Sequence, residues 1–543
     1  MAVVLLMLAL MASGAACDRY HPERTVSETA TLRNAAEANA QYWINDAQAG
    51  LERRLRFTPH TSDNHARNVV MFLGDGMSVP TLAAARTLLG QRRGQTGEEA
   101  QLSFEQFPTV GLSKTYCVNN QVADSACSAT AYLCGVKANY GTLGVTAAVP
   151  RRNCTASVDT ATHVQSIAEW ALADGRDAGI VTTTRVTHAS PAGVYAKVAN
   201  RGWESDVDIT SAGHDIALCP DIAHQLIHLH PGNKMKVILA GGRREFIPNG
   251  TVDEEGSSGR RTDGRNLIEE WQSDKRARNV TYNYVWNRSQ LMDVFNSPPE
   301  YLLGLFESNH LQYNLEADPS TEPTLTELTE IAIRSLSRNK RGFFLFVEGG
   351  RIDHAHHDNY PHLALDETIE MSKAVARAAE LLDEEDSLIV VTADHAHVMS
   401  LNGYSPRGQD ILGINNDLDL DGVPYMTLSY TNGPGRRAQR ADGVRVDVTK
   451  DANFRELRWR THVEVPLEDE THGGDDVAVF ARGPHHAIFT GLYEQSHIPH
   501  RMAYAACIGP GLHACSAAHS LRGSLLAALP LLALALRTLL GHS

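Results

Sequence analysis

Residues 343–359 read FFLFVEGGRIDHAHHDN: five apolar residues, a glutamate, two glycines, then a charged segment rich in histidine. An apolar run this short, with no polar alternation, suits a strand buried on both faces, as in parallel sheets covered by helices. Similar runs recur at Val69–Leu73, Gly179–Thr183, Lys236–Ala240, Leu388–Thr392 and Val477–Ala481. Helical patterns at Asp124–Lys137, His163–Ala173, Glu327–Ser337 and His362–Leu382 lie between them. The alternation of strand and helix predicts an α/β fold, three layers α/β/α around a central, mostly parallel sheet. Two regions break the rhythm. Residues 249–318 are polar and punctuated, and residues 403–469 are rich in Gly, Asp and Arg with short strand-like pieces. Both read as insertions, the second as a small crown-like region, and no internal repeat is visible.

The chain has 543 residues, 43% hydrophobic and 21% charged. That composition supports a sizeable core and excludes a disordered tail protein, a collagen or a small disulfide scaffold. Lys plus Arg number 49 against 64 Asp plus Glu, a net charge of −15. This is the wrong sign for a phosphate backbone, so nucleic acid is not an expected partner. So many carboxylates in the company of 25 histidines serve either solubility or the binding of cations.

Both ends read as processing signals. Met1–Ala12 is almost wholly apolar and is followed by the small residues Ser13 to Ala16, the order of a secretory signal peptide over 1–16. Residues 17–60 follow as an N-terminal arm or helix. Near the other end Leu525–Leu540 is apolar, broken by Pro530 and Arg537 and preceded by Ser516, Ala517 and Ala518. That order suggests a GPI signal with residues 517–543 removed and attachment near Ser516, a retained tail anchor being the alternative. The main domain is then 61–402 with 470–515, placed on the extracellular face of the cell membrane. Secretion permits disulfides and glycans, and sequons stand at Asn153, Asn249, Asn279 and Asn287.

In open α/β sheets ligands gather at the carboxyl ends of strands. The residues that follow these apolar runs are unusually polar: Asp75 after the first, Glu348, Asp353, His354, His356 and His357 after Phe343–Val347, and Asp394, His395 and His397 after Leu388–Thr392; His472 just precedes another run. Any one of them could be a cap or turn former, but gathered at one edge they would repel or be badly desolvated without cations. Mixed Asp and His donors suit zinc, and an oxygen-rich set including Glu348 suits magnesium. Asp124-Ser125-Ala126-Cys127-Ser128-Ala129-Thr130 opens a small-residue helix whose free N–H groups would attract a phosphate. No GxSxG elbow is present, so Ser125 as a nucleophile calls for activation by a metal.

The stretches FLGDGM (72–77), DSACSATAYLCGVK (124–137), TTTRVTHASPAG (182–193), FVEGGRIDHAHHDN (346–359), TADHAHV (392–398) and ETHGGDDVAVFARGP (470–484) resemble the animal-type alkaline phosphatases, over a span from about Trp43 to Cys515. The resemblance implies hydrolysis of phosphate monoesters of broad range through a phosphoserine on Ser125, with Arg201 gripping the phosphate. It implies one zinc on Asp353, His357 and His472, a second on Asp75, Asp394 and His395 with Ser125, and a magnesium on Asp75, Ser190 and Glu348 with His188 beside it. A calcium ion would take Glu255, the Phe306 carbonyl, Glu307 and Asp318. The family's homodimer places Tyr404 at a subunit contact, and its disulfides match Cys154 with Cys219 and Cys507 with Cys515, Cys134 being its lone thiol. Cys117 and Cys127 lack partners in that pattern; ten residues apart in an oxidising compartment, they are expected to pair with each other. Within the superfamily a sulfatase would need a CxPxR-type motif, which is missing, and phosphodiesterase relatives generally use Thr as nucleophile. A silent receptor would have lost ligands, and none of the zinc and magnesium set is missing.

Overall fold

The computed structural model describes residues 34–57, 64–418, 420–438 and 441–512; the expected signal 1–16, the tail 517–543 and Cys515 lie outside them. A ten-stranded sheet runs in the order Gly491–Glu494, Thr109–Lys114, Val477–Arg482, Ser387–Ala393, Asn68–Gly74, Phe343–Gly349, Asp177–Arg185, Val237–Gly241, Tyr301–Leu305, Tyr282–Val285. Its pairings are parallel apart from those of Val477–Arg482, which runs antiparallel to both neighbours.

Alternating side chains explain why the central runs are apolar throughout. Val69, Met71 and Leu73 enter one core with the helices Ser125–Cys134, Ile167–Ala173 and His497–Ala506. Val70 and Phe72 enter the other with Val79–Arg92, Leu325–Leu336 and Pro361–Leu381. A strand with helices on both faces has no solvent side to mark with polar residues. The six expected runs are the strands at the middle of the sheet. The four they leave out are edge or near-edge strands; Thr109–Lys114 alternates buried and exposed positions, a weaker signal. The segment 249–318, expected as an insertion, carries the edge strand Tyr282–Val285 and its neighbour Tyr301–Leu305, so part of it belongs to the sheet. Within 403–469 the strands Leu428–Gly433 and Val463–Pro466 join Met399–Leu401 in a separate three-stranded sheet. Met426, Val448 and Trp459 form a small core there.

Register places the chemistry. Leu73 lies level with Glu348 and Thr392, and Glu348 with Thr182. Asp75 and Asp394 therefore emerge one step beyond neighbouring strand ends. Cys117–Cys127 and Cys154–Cys219 are disulfides, Cys507 is also disulfide-bonded, and Cys134 is a buried thiol.

Candidate active site and metal centre

The turn after Asn68–Gly74 depends on Gly76. Its φ is +65°, a Cβ would strike the His397 ring, and its N–H donates to Asp394 Oδ1 at 2.9 Å. Glycine is required there by both conformation and space. The donor atoms of Asp75, Asp394 and His395 lie within 4.8 Å of one another, as do those of Asp353, His395, His397 and His472, and those of Asp75, His188 and Glu348. His395 Nε2 is 3.1 Å from Asp394 Oδ2 and 3.5 Å from Asp75 Oδ1. His357 Nε2 stands 3.3 Å from Asp353 Oδ2 and 3.1 Å from His472 Nε2. Ser190 Oγ donates to Asp75 Oδ2 at 3.3 Å.

Asp124 caps the helix Ser125–Cys134, accepting from the Cys127 N–H, and Gly135 ends it in the left-handed conformation. Ser125 is fully buried, with its Oγ 3.2 Å from His395 Nε2. A serine in the first helical turn faces free N–H groups and the positive end of the helix, which favours an anion beside it. Arg201 Nη1 is 3.2 Å from Asp124 Oδ2, and its Nη2 donates to His188 Nε2 at 3.0 Å. The guanidinium is thus pinned from two sides beside the serine helix.

Asp75 Oδ1, Glu348 Oε1, Asp353 Oδ2 and Asp394 Oδ2 are buried and accept no well-directed hydrogen bond, with imidazole nitrogens 3.1–3.5 Å from three of them. Buried carboxylate oxygens left in that state are costly, and the donor set has the chemistry to hold cations. Burial, and then the carboxylates of Asp394, Asp353 and Glu348, hold the Asp75 carboxyl well above its usual range. Burial would raise Asp353 too, but His357 and His397 outweigh it and hold that carboxyl well below. The mixed Asp and His donors around His395 and His472 fit zinc, and the oxygens of Asp75, Ser190 and Glu348 fit magnesium.

Around these donors lies a second ring, of which His397 stands out in the sequence as a polar residue after an apolar run, while Thr182, Thr184 and Glu470 do not. Thr182 and Thr184 donate to Glu348 Oε2. His397 bridges Asp353 Oδ1 at 2.7 Å and Glu470 Oε2 at 2.5 Å. Burial alone would discharge that ring, but Glu470 and Asp353 outweigh it and push its pKa up to about 10. The threonines alternate at the end of a strand, a signal available in the sequence. The His397–Glu470 pair joins residues 73 apart, which only folding brings together.

A family model described as alkaline phosphatase matches residues 66–508. The chain belongs to the alkaline phosphatase family. It is 69% identical over 505 residues to a membrane-bound alkaline phosphatase of Bombyx mori, with 92% of each chain covered. It is 45% identical over 514 residues to the tissue-nonspecific isozyme of Homo sapiens, covering 94% of this chain and 96% of that one. Among solved structures, Thermus thermophilus alkaline phosphatase matches with a TM-score of 0.58 at 22% identity, over 87% of this chain and 95% of that chain. The alkaline phosphatase of the Antarctic bacterium TAB5 matches with 0.56 at 19% identity, over 82% and 99%. At these identities the structural likeness speaks for the fold.

The alkaline phosphatase resemblance also led to a calcium group, which the structure alters. Burial raises the Glu255 carboxyl, with Glu307 adding to it, and Arg243 bonds Glu255. The other acid beside Glu307 is Glu322, pushed up to about 9 by burial and then by Glu307; Gln312 N–H donates to it at 2.8 Å. Asp318, expected there, is instead exposed, and its Oδ1 accepts from Ser320 N–H at 2.9 Å and Ser320 Oγ at 2.7 Å. An aspartate that folds back onto the second residue after it turns outward, and the next acid along takes the inner position. Phe306 is buried at the end of the neighbouring strand, and Tyr404 is 93% exposed. No helix of the described residues is long and apolar enough to cross a membrane.

Proposed function

We propose that this member of the alkaline phosphatase family hydrolyses phosphate monoesters of broad range to an alcohol and inorganic phosphate through a phosphoserine on Ser125. The observation that carries the reading is the Ser125 hydroxyl at a buried helix start, 3.2 Å from His395, with carboxylate oxygens that accept no well-directed hydrogen bond gathered at the same sheet edge. Asp353, His357 and His472 would hold one zinc, Asp75, Asp394 and His395 with Ser125 a second, and Asp75, Ser190 and Glu348 a magnesium beside His188. Glu255, Glu307, Glu322 and the Phe306 carbonyl would hold calcium. When bound, the zinc and magnesium ions supply positive charge that stabilises anionic oxygens and lowers the pKa of hydroxyl groups.

Arg201 binds two phosphate oxygens as a planar fork, which a lysine cannot do. Asp124 and His188 hold that fork in place. Ser125 Oγ attacks phosphorus in line: the Oγ–P bond forms as the bond from phosphorus to the alcohol oxygen breaks, and the departing alcohol carries a proton. Water then attacks the same phosphorus, the Oγ–P bond breaks, and the serine regains its proton. We further infer a homodimer tethered by a GPI anchor to the outer face of the membrane. The small-residue and apolar tail supports this reading, as does the membrane-bound name of the Bombyx mori relative. Phosphatidylinositol-specific phospholipase C should release the protein from membranes.

The decisive experiment is acid quenching during turnover of p-nitrophenyl phosphate or a labelled monoester. Phosphate should be trapped on the peptide containing Ser125, and Ser125→Ala should lose most turnover with zinc content retained. Label on another residue, or undiminished turnover in Ser125→Ala, overturns the mechanism.

A further inference from the structure

We propose that the Cys117–Cys127 disulfide is a positioning device of the active site. It closes a loop that presents three consecutive groups, the Ala123 carbonyl, the Asp124 carboxylate and the Ser125 hydroxyl. The proposal rests on the reading of Ser125, Arg201 and His472 given above.

The two cysteines are ten residues apart, and each is 2% exposed. They form a small apolar cluster of their own with Ala123 and Ala138, Tyr140 covering it, separate from the two large cores. The bridge therefore sits outside both large cores, next to the start of the serine helix. Its loop reaches the site at three points. The Ala123 carbonyl lies 2.8 Å from His472 Nδ1. A carbonyl only accepts, so Nδ1 donates to it, which fixes the ring with Nε2 turned to the side of Asp353 and His357. Asp124 spreads its carboxylate between two tasks: Oδ1 accepts from Cys127 N–H at 3.3 Å and Gly141 N–H at 2.9 Å, while Oδ2 faces Arg201 Nη1 at 3.2 Å. Cys127 is the third residue of the helix that Ser125 opens, so the bridge anchors the first helical turn itself.

In the outer part of the loop Val118 packs against a large core, and the residues after it lie nearer the surface. Gln121 and Val122 are exposed, and Val118 to Asn120 only half-buried. Hydrogen bonds join it to residues 138–140, Val118 N–H donating to Ala138 O at 3.0 Å and Tyr140 N–H to Asn119 Oδ1 at 2.8 Å. Few buried contacts and an exposed backbone mark a segment that opens locally at low cost. A cross-link at its base restricts that opening where it would displace Ala123 and Asp124.

The test uses the full-length secreted protein, metal-loaded, as wild type, Cys117→Ser/Cys127→Ser, Cys117→Ala/Cys127→Ala and Arg201→Ala. Inorganic phosphate is titrated calorimetrically, and zinc content is followed during dialysis. With the bridge removed, phosphate affinity should fall about tenfold, the scale of a misplaced charge-assisted hydrogen bond. Zinc should also be lost faster, while far-ultraviolet circular dichroism stays unchanged. If both double variants fail to fold, the bridge is opened in the folded wild type with a water-soluble phosphine. The phosphine becomes its oxide, taking oxygen from water, as the two sulfurs take up two electrons and two protons; alkylation maps which cysteines reacted. Unchanged phosphate affinity and zinc retention overturn the proposal. If Arg201→Ala binds phosphate as tightly as wild type, the reading of the site fails as well; if only Arg201→Ala weakens binding, the loop proposal alone fails.

Discussion

Glu245 and Glu348 are both fully buried, yet Glu245 is bonded by two arginines, Arg244 at 2.8 Å and Arg260 at 2.9 Å, and Glu348 by the hydroxyls of Thr182 and Thr184. The contrast extends to their surroundings. Near Glu245, Arg261 pairs with Asp221 at 3.0 Å and Asp263 at 2.5 Å, and Arg185 grips Glu204 at 2.6 and 2.7 Å. Near Glu348, the carboxylates of Asp75, Asp353 and Asp394 meet hydroxyls, imidazoles and backbone N–H groups, and each keeps an oxygen without a hydrogen bond. Where the chain supplies its own cations the acids are scaffold. Where it withholds them, the negative charge is left for cations from solution.

Stripping metals with a chelator should affect the acids around Glu348 and leave those around Glu245 unchanged. Turnover should drop by more than about 10³-fold, because several kcal/mol of charge stabilisation is removed, and should return on adding zinc and magnesium. Full activity in protein shown by metal analysis to be zinc-free would put both acid groups in one class.

Arg261→Met attacks the other region. It leaves Asp221 and Asp263 without their partner and should cost about 3–5 kcal/mol of stability. Turnover per folded molecule should stay unchanged, as chemical denaturation and activity measured on the same preparation would show. A variant that keeps its stability but loses turnover would mean that the arginine network belongs to the catalytic machinery.

Arg201 is held by Asp124 and His188 beside the serine helix, and Arg201→Lys tests what its shape contributes. Losing one arm of the fork should weaken inorganic phosphate binding by about 1.5–3 kcal/mol. Inhibition of turnover by phosphate measures it, and an unchanged inhibition constant would show that charge alone suffices.

A change of pH separates a buried acid that belongs to neither region. Glu367 is fully buried, and burial pushes its pKa from an ordinary 4.5 to about 8. The folded chain keeps that proton where the unfolded chain loses it. This contribution to stability is therefore complete below pH 4.5, falls by up to about 1.4 kcal/mol per pH unit as pH rises toward 8, and then levels off. Glu367→Gln should remove that part of the slope. An identical pH profile of unfolding in the variant would show that Glu367 is already ionised when folded.

Much of the architecture was legible because the central strands are sandwiched between helices. Phe343–Gly349 and Ser387–Ala393 are buried at every position, so each appears as an uninterrupted apolar run with polar chemistry after it. The edges were not legible for the same reason reversed: Gly491–Glu494 has exposed positions and no run to betray it. Strand direction was equally hidden. VAVFAR at 477–482 has the composition of its parallel neighbours and runs the other way, since direction depends on the connection and not on the side chains. Asp318 and Glu322 show the limit at single residues: both are acids near Glu307 in sequence, and a turn onto Ser320 decides which faces inward.

The α/β class, the polar edge of Asp75, Glu348, Asp353, Asp394 and His395, and the small-residue helix that begins at Ser125 can be read from the residues alone, because period, burial and helix-start chemistry are properties of neighbours along the chain. Only the tertiary structure decided which donors share a cluster, that His397 stands between Asp353 and Glu470, that Asp124 holds Arg201, and that Glu322 rather than Asp318 lies beside Glu307. Those pairings join residues far apart in sequence or facing opposite ways around a turn, and their distances are set by strand register and close packing, which no local pattern records.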